Sequence, residues 1–556
     1  MKKFVILFLI IYPVILTGQA RTLSNVPASL NPGNVTVNIF VEGYNPKTDA
    51  FRYLKLNYFS VYNGITTTIP CELDSGGKSS VTFSLVLPQE IMLLIDGSYS
   101  MMYAVPGQTE NVYFDLAAFK AGKKLSAGET GTTFLSLRFS GGLSHFNQYL
   151  NAFWPKLPAI IPYDNQKRMI DSLEQSAYKS WRLAVMKRML DTLDVFNRNQ
   201  RTSNDFRQAM SQHIHYWAAE DLVRYGWLHR QGKREPLTKE YFDFLKEIPI
   251  NNTKALVTGK YAAFLREYFE MWMGRWQLIP IDVTDAQLYA FLETNAGPVS
   301  QEDKRALKMP KASRNPPQEA LVSQLYSLYE VNYKNFRNNL NIQTWLAREL
   351  PPGIGTDILL ARVISNYLNQ FRQPLLPQNM QLMTRHIGNQ PVCALVKQDN
   401  EQLKQELAGT FSHEGNQGRF KLQQEQLYQK LVTRYSGKVI YIDFWAPWCG
   451  PCMGEMPASI AMAKELKGKD IVFLYVGVEC DQNLWDTTVK RMFDGGEHYY
   501  ADKNESVLLE AKFNFSGIPR YVLIDKKGAV SDDNAPAPGR SAILKSKIDI
   551  LLENNQ

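Results

Sequence analysis

The stretch "YIDFWAPWCGPCMGEMP", residues Tyr441–Pro457, sets two cysteines three positions apart, Cys449 and Cys452, directly after an apolar run. That run starts upstream as "KVIYIDFW" and reads as a buried strand, whereas "MPASIAMAKELKG" beyond the second cysteine has helical spacing. A Cys-x-x-Cys pair serves zinc or redox chemistry. Zinc requires two more ligands at matching spacing, and the nearby Cys480 and His498 do not form a second pair. A dithiol between a buried strand and a helix reads instead as a redox centre. Cys449 falls at the helix N-terminus, where unpaired backbone N–H groups and the helix dipole favour a thiolate, so it is expected to be the exposed nucleophile. Cys452, one turn later, is expected to point inward and resolve a mixed disulfide.

Two further residues bear on this centre. Asp443 stands in the middle of the apolar strand, where desolvation should raise its pKa and suit it to accept the Cys452 proton. The alternative is a carboxylate satisfied by local hydrogen bonds. Pro457 removes a backbone donor inside the following helix and is expected to kink it.

The chain has 556 residues, enough for two to four domains. It is 45% hydrophobic and 21% charged with a formal net charge of +8. The charge is uneven: from Lys421 onward 17 Lys/Arg face 18 Asp/Glu, leaving +9 on everything before. No run of five to eight Lys/Arg occurs, which argues against nucleic acid as a partner. Five cysteines are too few and too scattered for a disulfide-stapled scaffold, so stability must rest on burial. The opening "MKKFVILFLIIYPVILTGQA" has two lysines, an apolar run from Phe4 to Leu16, then small residues with Gly18 and Ala20 at cleavage-site spacing. This is the order of a secretory signal peptide over 1–20, and the run is short for a membrane span. No other long uninterrupted apolar stretch follows, which predicts an exported, soluble mature protein.

Residues 21–138 read as β-rich: "VTVNI", "YLKLNYF" and "VTFSLVL" alternate with period two between Gly/Asn/Pro/Asp clusters, predicting an antiparallel sandwich or small barrel. Residues 139–407 read as mainly helical. Ile170, Leu173, Ala177, Trp181 and Ala184 recur on one helix face, and Lys260–Trp276 and Asp357–Phe371 have the same spacing. The polar, glycine-bearing "FSHEGNQGRF" places a linker at 408–424. From 425 to 556 the order strand, helix, strand, then "GIPRYVLID" and a last amphipathic helix predicts an α/β layered domain.

"DFWAPWCGPC" followed at a distance by "GIPRYVLID" resembles the thioredoxin superfamily. The motif Cys-x-x-Cys-x-x-Glu-x-Pro, with Glu455 and Pro457, and the long spacing to Pro519 are similar to exported TlpA/ResA-like thiol–disulfide oxidoreductases. The segment "GGEHYYADKNESVLLEAKFNFSGIP" resembles Bacteroidetes-type members with long β-then-α N-terminal regions. The resemblance implies that Pro519 is a cis-proline facing the dithiol and that the Ile518 backbone pairs with an extended client segment. It also implies that Trp448, Gly450 and Pro451 contact substrate, and that no cofactor is needed beyond the Cys449–Cys452 pair. The Gly450-Pro451 dipeptide is that of reducing thioredoxins, which implies a reductase of disulfide-bearing client proteins in the periplasm, recharged by a membrane electron donor of the DsbD/CcdA type. The family's upstream hairpin motif is not recognisable between Gly409 and Leu422.

Other readings stand beside this one: a binding or assembly protein that uses the thioredoxin-like domain for docking, or a disulfide isomerase or oxidase. Asp96, Ser98 and Ser100 follow a metal-site order, but Pro106 and Gly107 interrupt the helix such a site needs, and a hairpin turn is the simpler reading. His213 and His215, two apart on a helix, face different directions and make a poor metal pair. Cys480 ends a strand on the same rim as Cys449 and is read as a partly buried, passive thiol or a third redox thiol; Cys71 and Cys393 read as lone core residues, with a bridge between domains as the alternative.

Overall fold

The structure is a computed structural model that describes residues 30, 32–49, 51–95, 98–125, 137–229, 237–275, 284, 286, 289–290, 301–371, 373–407, 417–492, 496–515 and 517–553. The expected signal peptide and Asp96 lie outside the described residues. Eight N-terminal strands are β1 (Gly33–Glu42), β2 (Tyr53–Phe59), β3 (Thr66–Glu72), β4 (Lys78–Leu85), β5 (Gln89–Ile95), β6 (Ser98–Ala104), β7 (Thr109–Asp115) and β8 (Leu137–Gly141). They form two four-stranded sheets, β4-β1-β7-β8 and β3-β2-β5-β6. Inward residues of β1 (Val35, Val37, Ile39) meet Leu54 and Leu56 of β2 and Ile91 and Leu93 of β5 in one core, as strict alternation requires. Two details differ from the expected antiparallel, all-β sandwich. β1 pairs with β7 in parallel, and a helix, Leu116–Leu125, packs Phe119 into the same core. The chain passes from β7 through this helix before β8 closes the sheet edge.

The middle of the chain is helical and packs on the outer face of the second sheet. Tyr103 of β6 shares a core with Phe146, Leu150, Phe206 and Met210. Polar groups stitch the two parts: Asn147 Oδ1 accepts the Tyr103 N–H at 2.6 Å and its amide donates to the Tyr103 carbonyl at 3.0 Å. Arg362, buried, donates to the Val61 and Ala262 carbonyls at 2.9 Å each. The single helix face expected from Ile170 to Ala184 is broken. Helices Tyr163–Ser172 and Gln175–Gln200 are separated by Leu173 and Glu174 in extended conformation. The apolar spacing runs through the break because Tyr225 O–H donates to the Leu173 carbonyl at 2.7 Å and His229 bonds the Ile170 carbonyl at 2.5 Å. Tertiary partners thus satisfy carbonyls that a continuous helix would have paired internally.

The C-terminal sheet has order β11-β10-β9-β12-β13, with β9 (Val439–Trp445), β10 (Ile471–Gly477), β11 (Glu497–Tyr500), β12 (Arg520–Ile524) and β13 (Val530–Asp532). β9 is buried along its whole length, runs parallel to β10 and antiparallel to β12, and so is the centre of the layer. Its even-numbered residues Ile440, Ile442 and Phe444 pack under helices Gln417–Val432 and Lys503–Lys512. Its odd-numbered residues Val439, Tyr441 and Trp445 pack under helices Gly450–Glu465 and Ser541–Glu553. The expected linker is corrected at its end: residues 417–424 open the helix Gln417–Val432, whose Leu427, Tyr428 and Leu431 enter the C-terminal core. This helix also occupies much of the stretch where the upstream hairpin motif was missing. Tyr53 of β2 joins that core as well, so the N-terminal sandwich docks directly on the C-terminal layer.

Candidate active site

β9 ends at Trp445, and the chain turns through Ala446 into the helix Gly450–Glu465. Cys449 is the N-cap of that helix: its backbone is extended and its Sγ accepts the Cys452 N–H at 3.2 Å. Pro451 sits in the first turn, where a missing donor has no cost. Cys449 and Cys452 are joined as a disulfide with Cα atoms 5.3 Å apart. Cys452 is 1% exposed and Cys449 only 3%. The expectation of an exposed Cys449 is therefore corrected for this oxidised state. The bond turns Sγ toward Cys452, and the Ile518–Pro519 segment lies beside it, with the Ile518 carbonyl oxygen 3.7 Å from Cys449 Sγ. The Ile518–Pro519 peptide is cis.

Trp448, by contrast, is 58% exposed. Its indole N–H donates to the carbonyl of Glu479, at the end of the β10 rim, at 2.9 Å. Gly450 is open, with no atom near the position a Cβ would take. Pro457 lies inside the helix, as its position required. Glu455, on the same helix, accepts the Gly539 N–H through Oε2 at 2.7 Å and ties the helix to the segment beyond β13.

Asp443 is on the odd-numbered face of β9, the face covered by the Cys452 helix, and is 1% exposed. Neither carboxylate oxygen has a hydrogen-bond partner among the described residues. Burial, with the Glu455 charge adding to it, pushes its carboxyl well above the usual range. Register places Tyr475 of β10 and Tyr521 of β12 on either side of it, and Tyr441 stacks on Tyr521 with ring centres 5.7 Å apart. This tyrosine collar was missed from sequence; tyrosines at matched positions of three strands were the available signal.

Cys480 packs at the edge of the same core. Burial, reinforced by Asp481 and Glu479, pushes its thiol up to about 12, so it is protonated at neutral pH and is no nucleophile there. Cys71 and Cys393 are buried and free. His213 is not a metal ligand candidate but part of a buried cluster, with Nδ1 2.8 Å from Glu90 Oε1 and 3.2 Å from Thr258 Oγ1.

A capped dithiol on a central buried strand, with a cis-proline segment beside it, defines the class of thioredoxin-type redox domains. Residues 437–530 match the family model described as Thioredoxin-like. Among curated proteins, the chain is 27% identical over 96 residues to the thioredoxin-like protein YneN of Bacillus subtilis, covering 17% of this chain and 55% of that protein. It is 28% identical over 103 residues to the thiol-disulfide oxidoreductase ResA of Geobacillus kaustophilus, covering 18% and 58%. A crystal structure of a candidate thiol-disulfide oxidoreductase from Bacteroides vulgatus is 37% identical and covers 22% of this chain and 82% of that one, with a TM-score of 0.20. Residues 437–530 are thus similar to the thioredoxin-like family, in keeping with the geometry of the dithiol. The chain spans about half the length of the curated relatives it matches, 48–55% for three of them.

Proposed function

We propose that the chain is an exported thiol–disulfide oxidoreductase that reduces disulfides of client proteins in the periplasm. The observation that carries this reading is Cys449 at the N-cap with Cys452 one turn on, beside the Ile518–Pro519 segment. In the reduced protein the Cys449 thiolate attacks a client disulfide. The client S–S bond breaks, a mixed disulfide forms on Cys449 Sγ, and the first client sulfur leaves as a thiolate that takes a proton from solvent. Cys452 then gives its proton to the Asp443 carboxylate and attacks Cys449 Sγ. This closes the intramolecular disulfide and releases the second client thiolate, so two electrons pass from the dithiol to the client. The raised affinity of Asp443 for a proton suits it to that transfer. Trp448, Gly450 and Pro451 form the rim a client meets, and Ile518 offers its backbone to an extended client segment.

Export rests on the N-terminal pattern of lysines, apolar run and small residues. The Gly450-Pro451 dipeptide supports a reducing direction, with the disulfide returned to dithiol by a membrane electron donor of the DsbD/CcdA type; no further cofactor takes part. Insulin disulfide reduction by wild type, abolished in Cys449→Ser, tests the reading. A wild type inactive on every disulfide offered turns the assignment toward a docking module.

A further inference from the structure

Lys55 lies on β2 of the N-terminal sandwich, yet its side chain points away from the sandwich core, beside Tyr53, into the C-terminal domain. It is 8% exposed. There its ammonium donates to Glu510 Oε2 at 2.7 Å and bonds Glu479 Oε1. One cation faces two carboxyl groups, and burial pushes the Glu510 carboxyl up to about 8. Glu479 is the more exposed of the two carboxyl groups and the one that lies next to the dithiol rim.

Glu479 is held in an unusual way. Its φ of 50° lies in the left-handed region that residues with a Cβ seldom occupy. Its N–H bonds Ser506 Oγ at 3.2 Å, its side chain reaches Lys55, and its carbonyl receives the Trp448 indole N–H. The conformation that aims this carbonyl at Trp448 is thus anchored by a residue 424 positions earlier in the chain. Trp448 is the large exposed side chain immediately before Cys449, so the N-terminal sandwich is coupled to the rim of the dithiol through two consecutive contacts, Lys55 to Glu479 and Glu479 to Trp448.

We propose that Lys55 is a positioning residue for the active-site rim: through Glu479 it fixes the Trp448 indole beside Cys449, which makes the N-terminal sandwich part of the client-binding surface. The inference rests on the reading of Cys449 and Cys452 as an exchange centre. It also supplies a use for the sandwich in that reaction, since a domain that merely accompanied the dithiol would not reach into its rim.

The test is 19F NMR of full-length protein labelled with 5-fluorotryptophan, with the Trp448 resonance assigned from Trp448→Phe, alongside insulin and small aromatic disulfide reduction. Lys55→Met shifts and broadens the Trp448 resonance, and KM for insulin rises about three- to tenfold, the loss of one charge-assisted contact. The kcat on the small disulfide stays unchanged. Lys55→Arg restores the resonance, and Glu510→Gln, which keeps the Lys55–Glu479 contact, leaves it in place. Glu479→Gln reproduces the Lys55→Met change without touching the sandwich, so a folding defect in Lys55→Met does not remove the test. A Trp448 resonance unmoved by both Lys55→Met and Glu479→Gln overturns the proposal, as does Glu510→Gln moving it as far as Lys55→Met. Should wild type reduce no disulfide while the resonance still answers to Lys55, the exchange reading fails and the linkage stands.

Discussion

Asp443 stands directly across the β9–β12 pair from Tyr521, with both of its oxygens unpartnered among the described residues and its face covered by the helix that carries Cys452. A carboxyl in that setting resists ionisation. It is a poor structural element and a good proton acceptor for a neighbour that must lose one.

Replacing it separates those two properties. Asp443→Asn raises the thermal midpoint at neutral pH, because burying the aspartate requires it to take up a proton that the unfolded chain has released, which the amide does not need. It also lowers kcat for insulin reduction by about 10²-fold, the usual scale of a lost general base. Paired melting curves and steady-state rates check this. A stabilised variant with unaltered kcat removes Asp443 from the mechanism while leaving the fold intact.

Glu110 of β7 gives a pH dependence away from the dithiol. It accepts the Leu143 N–H at 3.0 Å through Oε1, its Oε2 is unpartnered among the described residues, and burial pushes its carboxyl up to about 7. Between its unfolded value near 4.5 and that folded value, the native state holds a proton the unfolded chain has released. Stability therefore falls as pH rises through this window. Glu110→Gln removes the fall, leaving stability unchanged near pH 4.5 and raising it at pH 8 by on the order of 2 kcal/mol. Thermal midpoints from pH 4.5 to pH 8 check it, and parallel slopes in the two proteins would contradict it.

Cys480, whose thiol burial holds above the usual thiol range, is expected to take no part in exchange. Cys480→Ala keeps insulin reduction within about twofold of wild type, inside the range of ordinary surface changes. Cys452→Ser accumulates mixed disulfides with clients through Cys449, visible as adducts on non-reducing gels that reductant removes. Adducts that survive in Cys449→Ser but vanish in Cys480→Ala would make Cys480 the reactive thiol.

Much of this was legible in the sequence for a simple reason. β9 is so apolar that only burial on both faces accounts for it, and a dithiol leaving such a strand has few structural homes. The sandwich strand β1 was readable because its outward face is the wetter one and period two survives. Other parts depend on partners distant in sequence. The break at Leu173 is invisible to periodicity because Tyr225 and His229 satisfy the carbonyls it frees. β11 is short and half-exposed, so its polar residues read as an insertion. Helix spacing discounted His213 as a ligand but could not reveal Glu90, 123 positions away, as its partner. Lys55 and Glu479 are likewise unremarkable until the fold brings them together.

The whole account depends on Cys449, at its N-cap, being a stabilised thiolate once the disulfide is reduced. Its alkylation by iodoacetamide, followed by peptide mass spectrometry across pH, measures this directly. The account predicts that at pH 7 Cys449 is modified at least about tenfold faster than an ordinary exposed thiol, with a rate profile that titrates below the usual thiol value of about 8.5, and that Cys452 lags behind. Labelling of Cys449 at the rate and with the pH profile of an ordinary thiol contradicts it.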